Sequence, residues 1–210
     1  MSEKYDVIAV GMGPSSIFMA YELIKLKKAH KVLLIEQGKK VEDRYCPIEK
    51  TGNCIKCKPF CNITSGFSGA GAFSDGKLSL YNKEDDDIYI GGILHEYIGV
   101  EETKRLIDYT DKIYLDFGAD TKLEGTEHQE EIKKISDKAK KEGINLINIP
   151  IRHLGTEKAH ELYKRLEDYL SEHHIEMKYQ TIVEDLIIEK GKILSLIHIS
   201  EPTRHSLISY

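Results

Sequence analysis

All four cysteines of the chain fall between residues 46 and 61, in CPIEKTGNCIKCKPFC: Cys46, Cys54, Cys57 and Cys61, spaced C-x7-C-x2-C-x3-C. Thiolates are soft ligands. Four of them so close together, among proline, glycine and asparagine, suit a loop folded around zinc or an iron–sulfur cluster. Two of them suit a redox dithiol instead, with Lys56 and Lys58 favouring the thiolate form beside Cys57. Four reduced cysteines in an ordinary loop is the third reading, and the spacing matches no one of these uniquely.

A second set of residues lies at the start of the chain. The turn GMGPSS follows the apolar run YDVIAV and precedes Ile17, Ala20, Tyr21 and Ile24 at helical spacing, and KVLLIE then ends on Glu36. Strand, glycine turn, helix, strand and terminal acid make the βαβ unit that binds a dinucleotide. Gly11 allows the tight turn and Gly13 lets backbone approach a pyrophosphate. The helix opening at Pro14, Ser15 and Ser16 presents free N–H groups to the negative charge. Glu36 is placed to accept hydrogen bonds from the adenosine ribose hydroxyls. Ser16 stands where the fingerprint has its third glycine, so helix and strand pack less closely there. The unit alone does not separate NAD from FAD.

After the cysteines comes SGFSGAGAFSDGKLSLY, in which Gly66, Gly69, Gly71 and Gly76 surround small residues. Backbone can approach a ligand closely in such a run. Ser68, Ser74 and Lys77 add polar groups for a phosphate or a ring system. A flexible linker is not interleaved with Phe67, Ala70, Ala72 and Phe73 in this way.

These stretches carry a resemblance. DVIAVGMGPSS, VLLIEQGK, CPIEKTGNCIKC and GFSGAGAFSDGKLSLY resemble the N-terminal half of a bacterial and archaeal family of FAD-dependent dehydrogenases. Its members are described as NAD(FAD)-utilising dehydrogenases or NAD(P)/FAD-dependent oxidoreductases. LIDYTDKIYLDFGA, NIPIRHLGT and QTIVEDLIIEKGKI are similar to it too, so the likeness runs from about Tyr5 to Ile193. The resemblance implies FAD, with Gly11, Gly13, Ser16 and Glu36 on its ADP half. It places Gly69, Gly71, Ser74, Asp75 and Lys77 toward the pyrophosphate or isoalloxazine. By analogy with flavoproteins of this general build, a backbone group near Val183 contacts the adenine. It implies hydride transfer between a nicotinamide or organic donor and an acceptor, with NAD(P) as one partner and a small molecule as substrate. No catalytic acid or base is assigned from these residues.

Composition bounds the rest. With 210 residues, 30 Lys and Arg against 35 Asp and Glu, and a net charge of −5, the chain has no basic excess that suits nucleic acid. No apolar run is long enough to span a bilayer, and MSEKYDVIAVGMG lacks the basic start and longer apolar core of a secretion signal. We therefore expect a cytoplasmic protein with no membrane partner and with cysteines that are reduced, metal-bound or redox-active rather than in structural disulfides.

The elements that position these residues are read from periodicity. Leu106, Thr110, Ile113 and Phe117 share one helical face, and Ile132, Ile135 and Ala139 form a thin stripe. INLINIPI reads as a strand, with Arg152 and His153 straight after it; these either meet an anionic substrate or the flavin, or Arg152 caps a helix or pairs with surface acids while His153 packs. Ala159, Leu162, Tyr163, Leu166 and Leu170 mark another helix, followed by IEMKYQT and the hairpin pattern VEDLIIEKGKIL.

The fold class expected is α/β: an incomplete Rossmann-like FAD-binding domain carrying an inserted α/β layer. Its parts are a first βαβ over 1–45, the Cys-rich and Gly-rich flavin loop over 46–80 and the insertion over 81–180. Residues 181–193 start a hairpin returning to the FAD domain, and 194–210 form a tail. That tail reads LSLIHISEPTR from Leu194 to Arg204 and closes on Ile208, Ser209 and Tyr210. Both pieces match, in frame, the translation of a transposase-based sequencing adapter, so we expect the tail to be adapter-derived and the chain to be the first part of a longer one. The alternative is a genuine strand, since ILSLIHIS alternates apolar and polar residues. The function expected is an FAD-dependent oxidoreductase. The alternative is a metal-binding or iron–sulfur electron-transfer module built on a nucleotide-binding platform.

Overall fold

The computed structural model describes residues 4–27, 31–81, 92–199 and 205–209. It divides into two compact units, Met1–Phe73 with Tyr163–Tyr210, and Ser74–Leu162.

In the first unit, β1 (Val7–Val10) leads through Gly11–Gly13 into α1 (Pro14–Leu26) and then β2 (Val32–Ile35). Valine, isoleucine and leucine run without polar interruption in β2, all four residues of which are buried. Such continuity belongs to a parallel strand covered on both faces. β1 pairs with β2 in parallel, Val7 opposite Val32 through Val10 opposite Ile35. β5 (Glu176–Lys178) adds to the other side of β2, also in parallel. The sheet order is thus β1-β2-β5. Proline at the first position starts α1, where its missing N–H costs no hydrogen bond, and Ile17, Ala20 and Tyr21 bury its inner face.

Between β2 and the return of the chain lie a 3-10 turn (Val41–Asp43), a one-turn α2 (Ile48–Thr51) and a second 3-10 segment (Gly69–Phe73). The hairpin expected after IEMKYQT forms from β6 (Ile182–Glu189) and β7 (Lys192–Ile199), paired antiparallel. Lys190 and Gly191, at φ 50° and 76°, make the two-residue left-handed turn that matches strand twist. β7 in turn pairs with β8 (His205–Ser209). Leu196 is 2% exposed and packs with Tyr5, Leu33 and Ile35. Residues 192–199 thus form a strand, the alternative reading of ILSLIHIS, and residues 200–204 and 210 of the tail lie outside the described residues.

In the second unit, β3 (Lys77–Ser79) pairs antiparallel with β4 (Ile151–His153). Among the described residues three helices precede β4 there: a short α3 (Leu94–Ile98), α4 (Val100–Asp116) and α5 (Gln129–Lys141). Ile113 lies buried on α4, as its helical stripe requires, whereas α5 buries no residue and leaves Ile135 56% exposed. The INLINIPI strand is corrected: only Ile151 of it is in β4, and Ile144, Leu146 and Ile147 are exposed outside any element. A strand is as long as its partner allows. β3 has three residues, and the one further backbone bridge joins Glu124 to Ile151. α6 (Gly155–Glu172) follows, its residues through Leu162 in the second unit and those from Tyr163 in the first; Ala159, Leu162, Tyr163, Leu166 and Leu170 are all buried, as their spacing predicts. Among the described residues no helix is long and apolar enough to cross a membrane.

Arg152 pairs with an acid, but inside the protein rather than on its surface. Its guanidinium is 4% exposed and donates to both Asp111 carboxylate oxygens at 2.6 and 2.7 Å, and to the carbonyl of Asp120. His153 is half-exposed, 3.8 Å from Glu124. Removing one member of a buried ion pair leaves the other charge uncompensated, which costs about 3–5 kcal/mol. Arg152→Leu is thus expected to lower the urea-unfolding free energy by about that amount. A change below about 1 kcal/mol would mean that the pair is effectively solvated.

Candidate nucleotide site

The site is built at the C-terminal ends of β1 and β2. Gly11 has φ +92°, a left-handed conformation that a side chain resists, and its N–H donates to the Ile35 carbonyl at 2.7 Å. Gly13 has an ordinary backbone, φ −76° and ψ 175°, and a Cβ there meets nothing within 4 Å. Neither strain nor packing within the protein asks for glycine at that position. The space it leaves faces outward at the helix start, where no side chain caps α1. Pro14 and Ser15 are exposed and Ser16 half-buried, leaving the first turn open to an anion.

Glu36 sits one residue beyond β2 and is 6% exposed. Its Oε2 accepts the Met12 N–H at 2.9 Å, and its Oε1 accepts the N–H groups of Gly38 and Gly66 at 2.8 and 2.9 Å. A carboxylate has about four acceptor positions, so one remains, on Oε2. The sequence placed Glu36 correctly at the strand end but gave no sign that it also gathers backbone. A Cβ on Gly38 would lie 2.3 Å from the Gly66 nitrogen, and one on Gly66 would lie 2.5 Å from the Lys39 carbonyl oxygen. These two glycines let the β2 end and the loop touch.

Arg44 was not singled out by sequence, and it organises this loop. It is 3% exposed. Nε donates to the Asn62 carbonyl at 2.8 Å, Nη1 to Phe67 at 2.6 Å, and Nη2 to Ile63 and Gly69, both at 2.7 Å. The guanidinium also stacks 4.7 Å from the Phe73 ring. Burial pulls its pKa down to about 10, so it is still a cation at neutral pH. The signal available in the sequence was one arginine in the segment EDRYC, ahead of a glycine-rich loop whose carbonyls need partners.

The remaining expected residues divide between the units. Gly69 has φ +56° and Gly71 packs under Ser68 Oγ and Tyr163, where a Cβ would lie 3.1 and 3.2 Å from them. Both belong to the first unit, as do Ser68, itself 1% exposed with φ +66°, and Val183. Val183 lies opposite His198 in the hairpin, beside a bulge, against the Leu33 and Leu196 cluster. Ser74, Asp75 and Lys77 belong to the second unit. There Ser74 Oγ accepts the Gly76 N–H at 3.1 Å, and Lys77 pairs with Asp75 at 2.8 Å on the surface. All four cysteines line one cavity of about 360 Å3. Among the described residues, however, no group of three His, Cys, Asp or Glu side chains is placed to hold a metal.

A buried acid lies nearby in the same unit. Glu167 of α6 is 4% exposed, accepts the Tyr179 hydroxyl on Oε1 and leaves Oε2 without a partner.

No family model matches the chain. An uncharacterized protein of Clostridium beijerinckii (strain ATCC 51743 / NCIMB 8052) is 36% identical over 81 residues, which is 39% of this chain and 15% of that protein. Among solved structures, a 3-ketosteroid-Δ4-(5α)-dehydrogenase from Rhodococcus jostii RHA1 superposes with a TM-score of 0.56 at 14% identity, over 98% of this chain and 44% of its own. A flavocytochrome c3 fumarate reductase in its open conformation gives 0.54 at 14%, over 99% of this chain and 32% of its own. The chain spans half or less of the length of these proteins. The likeness is one of fold: the chain shares a Rossmann-like α/β fold with these two proteins.

Two outcomes follow from the buried charges. Arg44→Met strands four carbonyls, and we expect a loss of at least about 3 kcal/mol with new protease cuts within 62–69, partly recovered in Arg44→Lys. An uncut loop in Arg44→Met would show that the carbonyls have other partners. For Glu167, burial holds the folded-state pKa above 4.5, so folding takes up a proton and stability is lost as pH rises from 4.5 through the folded value. Glu167→Gln lacks that loss: the two chains should have equal urea midpoints near pH 4, and the variant should lead by on the order of 1 kcal/mol near pH 8. Parallel pH profiles would contradict the assignment.

Proposed function

We propose that this chain is the nucleotide-holding part of an FAD-dependent oxidoreductase, of the NAD(FAD)-utilising kind its motifs resemble. The observation that carries the reading is Gly13. Its backbone is unstrained and its side-chain position empty, beside an uncapped helix start. A glycine that neither strain nor packing requires leaves room for backbone to meet a ligand, and the uncapped helix start beside it offers N–H groups suited to a pyrophosphate.

The residues fit FAD in the following way. Gly11, Gly13, Pro14, Ser15 and Ser16 would hold the pyrophosphate. Glu36 would take the ribose hydroxyls with the acceptor position its three N–H partners leave. Gly69 and Gly71 would line the approach to the flavin, and the backbone at Val183 would meet the adenine. When bound, the isoalloxazine supplies hydride chemistry between a nicotinamide or organic donor and an acceptor, with NAD(P) as one partner and a small-molecule substrate as the other. The dehydrogenase and flavocytochrome reductase that share the fold support this class of activity. The electron-transfer alternative has the four cysteines around one cavity in its favour, and the lack of a metal-holding group among the described residues against it.

The test is a titration of the full chain with FAD, read by flavin fluorescence. Gly13→Val should keep the circular dichroism of the parent and weaken FAD by at least about tenfold, since methyls fill the space the phosphate needs. Equal affinity in the two chains, or no binding by the parent, would overturn the reading.

A further inference from the structure

The nucleotide reading leaves the four cysteines without a task. None is in a disulfide; Cys54 and Cys61 are exposed, and Cys46 and Cys57 half-buried. All four line the cavity of about 360 Å3, whose wall is apolar at Ile48, Ile55 and Ile63 and cationic at Lys56 and Lys58. Cys57 and Cys61 also face a larger cavity of about 790 Å3 that shares this wall. The thiols border a common space without converging on one point, as the lack of a metal-holding group among the described residues shows. Coordination needs several sulfurs on one atom at once. Thiol exchange needs two sulfurs acting in turn, and the arrangement suits the second.

One of the four is prepared to attack. Cys61 is exposed where Cys57 is half-buried, so of the two that border both cavities it is the sulfur an incoming ligand meets first. The Ile63 and Thr64 amides that follow Cys61, with the Arg44 charge, hold its thiol below the usual range. The Cys61 carbonyl accepts the N–H groups of Thr64 and Ser65 at 3.2 and 3.0 Å, which fixes the turn that aims them.

We propose that this cavity is an exchange site for anionic low-molecular-weight disulfides, with Cys61 as the attacking sulfur and Cys57, which borders both cavities, as the resolving one. The Cys61 thiolate attacks one sulfur of the disulfide. A new S–S bond joins Cys61 to half of the ligand, the old S–S bond breaks, and the other half leaves as a thiolate that takes a proton from water. Cys57 then gives its proton to water and displaces the second half, leaving a Cys57–Cys61 disulfide. Two protein thiols are oxidised and one ligand disulfide is reduced to two thiols. Lys56 and Lys58 favour a ligand with carboxylates and ease the departure of its thiolate.

The test uses the full reduced chain and needs no FAD, so it succeeds or fails apart from the nucleotide reading. Ellman's dianionic disulfide and glutathione disulfide are the probes, and cationic cystamine is the comparison. We expect one thiol to react with Ellman's reagent at least about tenfold faster than free glutathione near pH 7, with a rate midpoint below the usual thiol value of about 8.5. Peptide mapping of the parent should place the first label on Cys61. The fast phase should vanish in Cys61→Ser and persist in Cys54→Ser, and Cys57→Ser should stop at a stable mixed disulfide. Cystamine should be slower. The proposal is overturned by a first label elsewhere, by four thiols reacting at the free-thiol rate, or by cystamine reacting as fast as the anionic probes. It is overturned equally by thiols that stay silent until a chelator releases stoichiometric zinc, which would make this a metal site.

Discussion

Three N–H groups from three separate places in the chain end on the buried carboxylate of Glu36: Met12 from the glycine turn, Gly38 just past β2, and Gly66 from the loop thirty residues later. A carboxylate taken out of water costs several kcal/mol unless its oxygens are satisfied. Here the charge-assisted bonds offset that cost, and in doing so they fix where the glycine turn lies relative to the β2 end and the loop. Arg44 works in the opposite sense on the same loop. The acid collects amide hydrogens and the guanidinium collects four carbonyls, so the polar backbone of an irregular segment is satisfied without a helix or a sheet.

The glycines separate into two physical groups under this frame. Gly38 and Gly66 are small because protein backbone touches protein backbone there, and Gly76 because Leu154 and Ala159 press on it. Gly11 and Gly13 have open space, Gly11 with a left-handed backbone and Gly13 with none of that constraint. Only the second group speaks for a ligand, and it lies at the turn where the sequence fingerprint puts the pyrophosphate.

What the sequence made legible is what local pattern determines. The apolar continuity of KVLLIE, the glycines after YDVIAV and the helical stripe from Ala159 to Leu170 each specify an element by themselves, and Lys190–Gly191 specifies a hairpin turn. The rest depends on contacts between distant residues. Nothing near Glu36 in the chain shows that Gly66 will donate to it, and Arg44 looks like any charged residue in an acidic stretch. INLINIPI has strand-like composition but lacks a partner of matching length, so most of it stays exposed. Arg152 next to His153 suggested a substrate anion or a surface acid; its actual partner, Asp111, lies forty-one residues earlier.

The central claim is that the Gly11–Ser16 turn and Glu36 receive the ADP half of FAD. It is tested most directly by amide chemical shifts of the isotope-labelled chain as ADP, and then FAD, is added. The account predicts that ADP moves the Gly13, Ser15, Ser16 and Gly38 amides, and that FAD extends the effect to Gly69 and Gly71. Shifts confined to the cysteine segment between 46 and 61, or none at all, would contradict it.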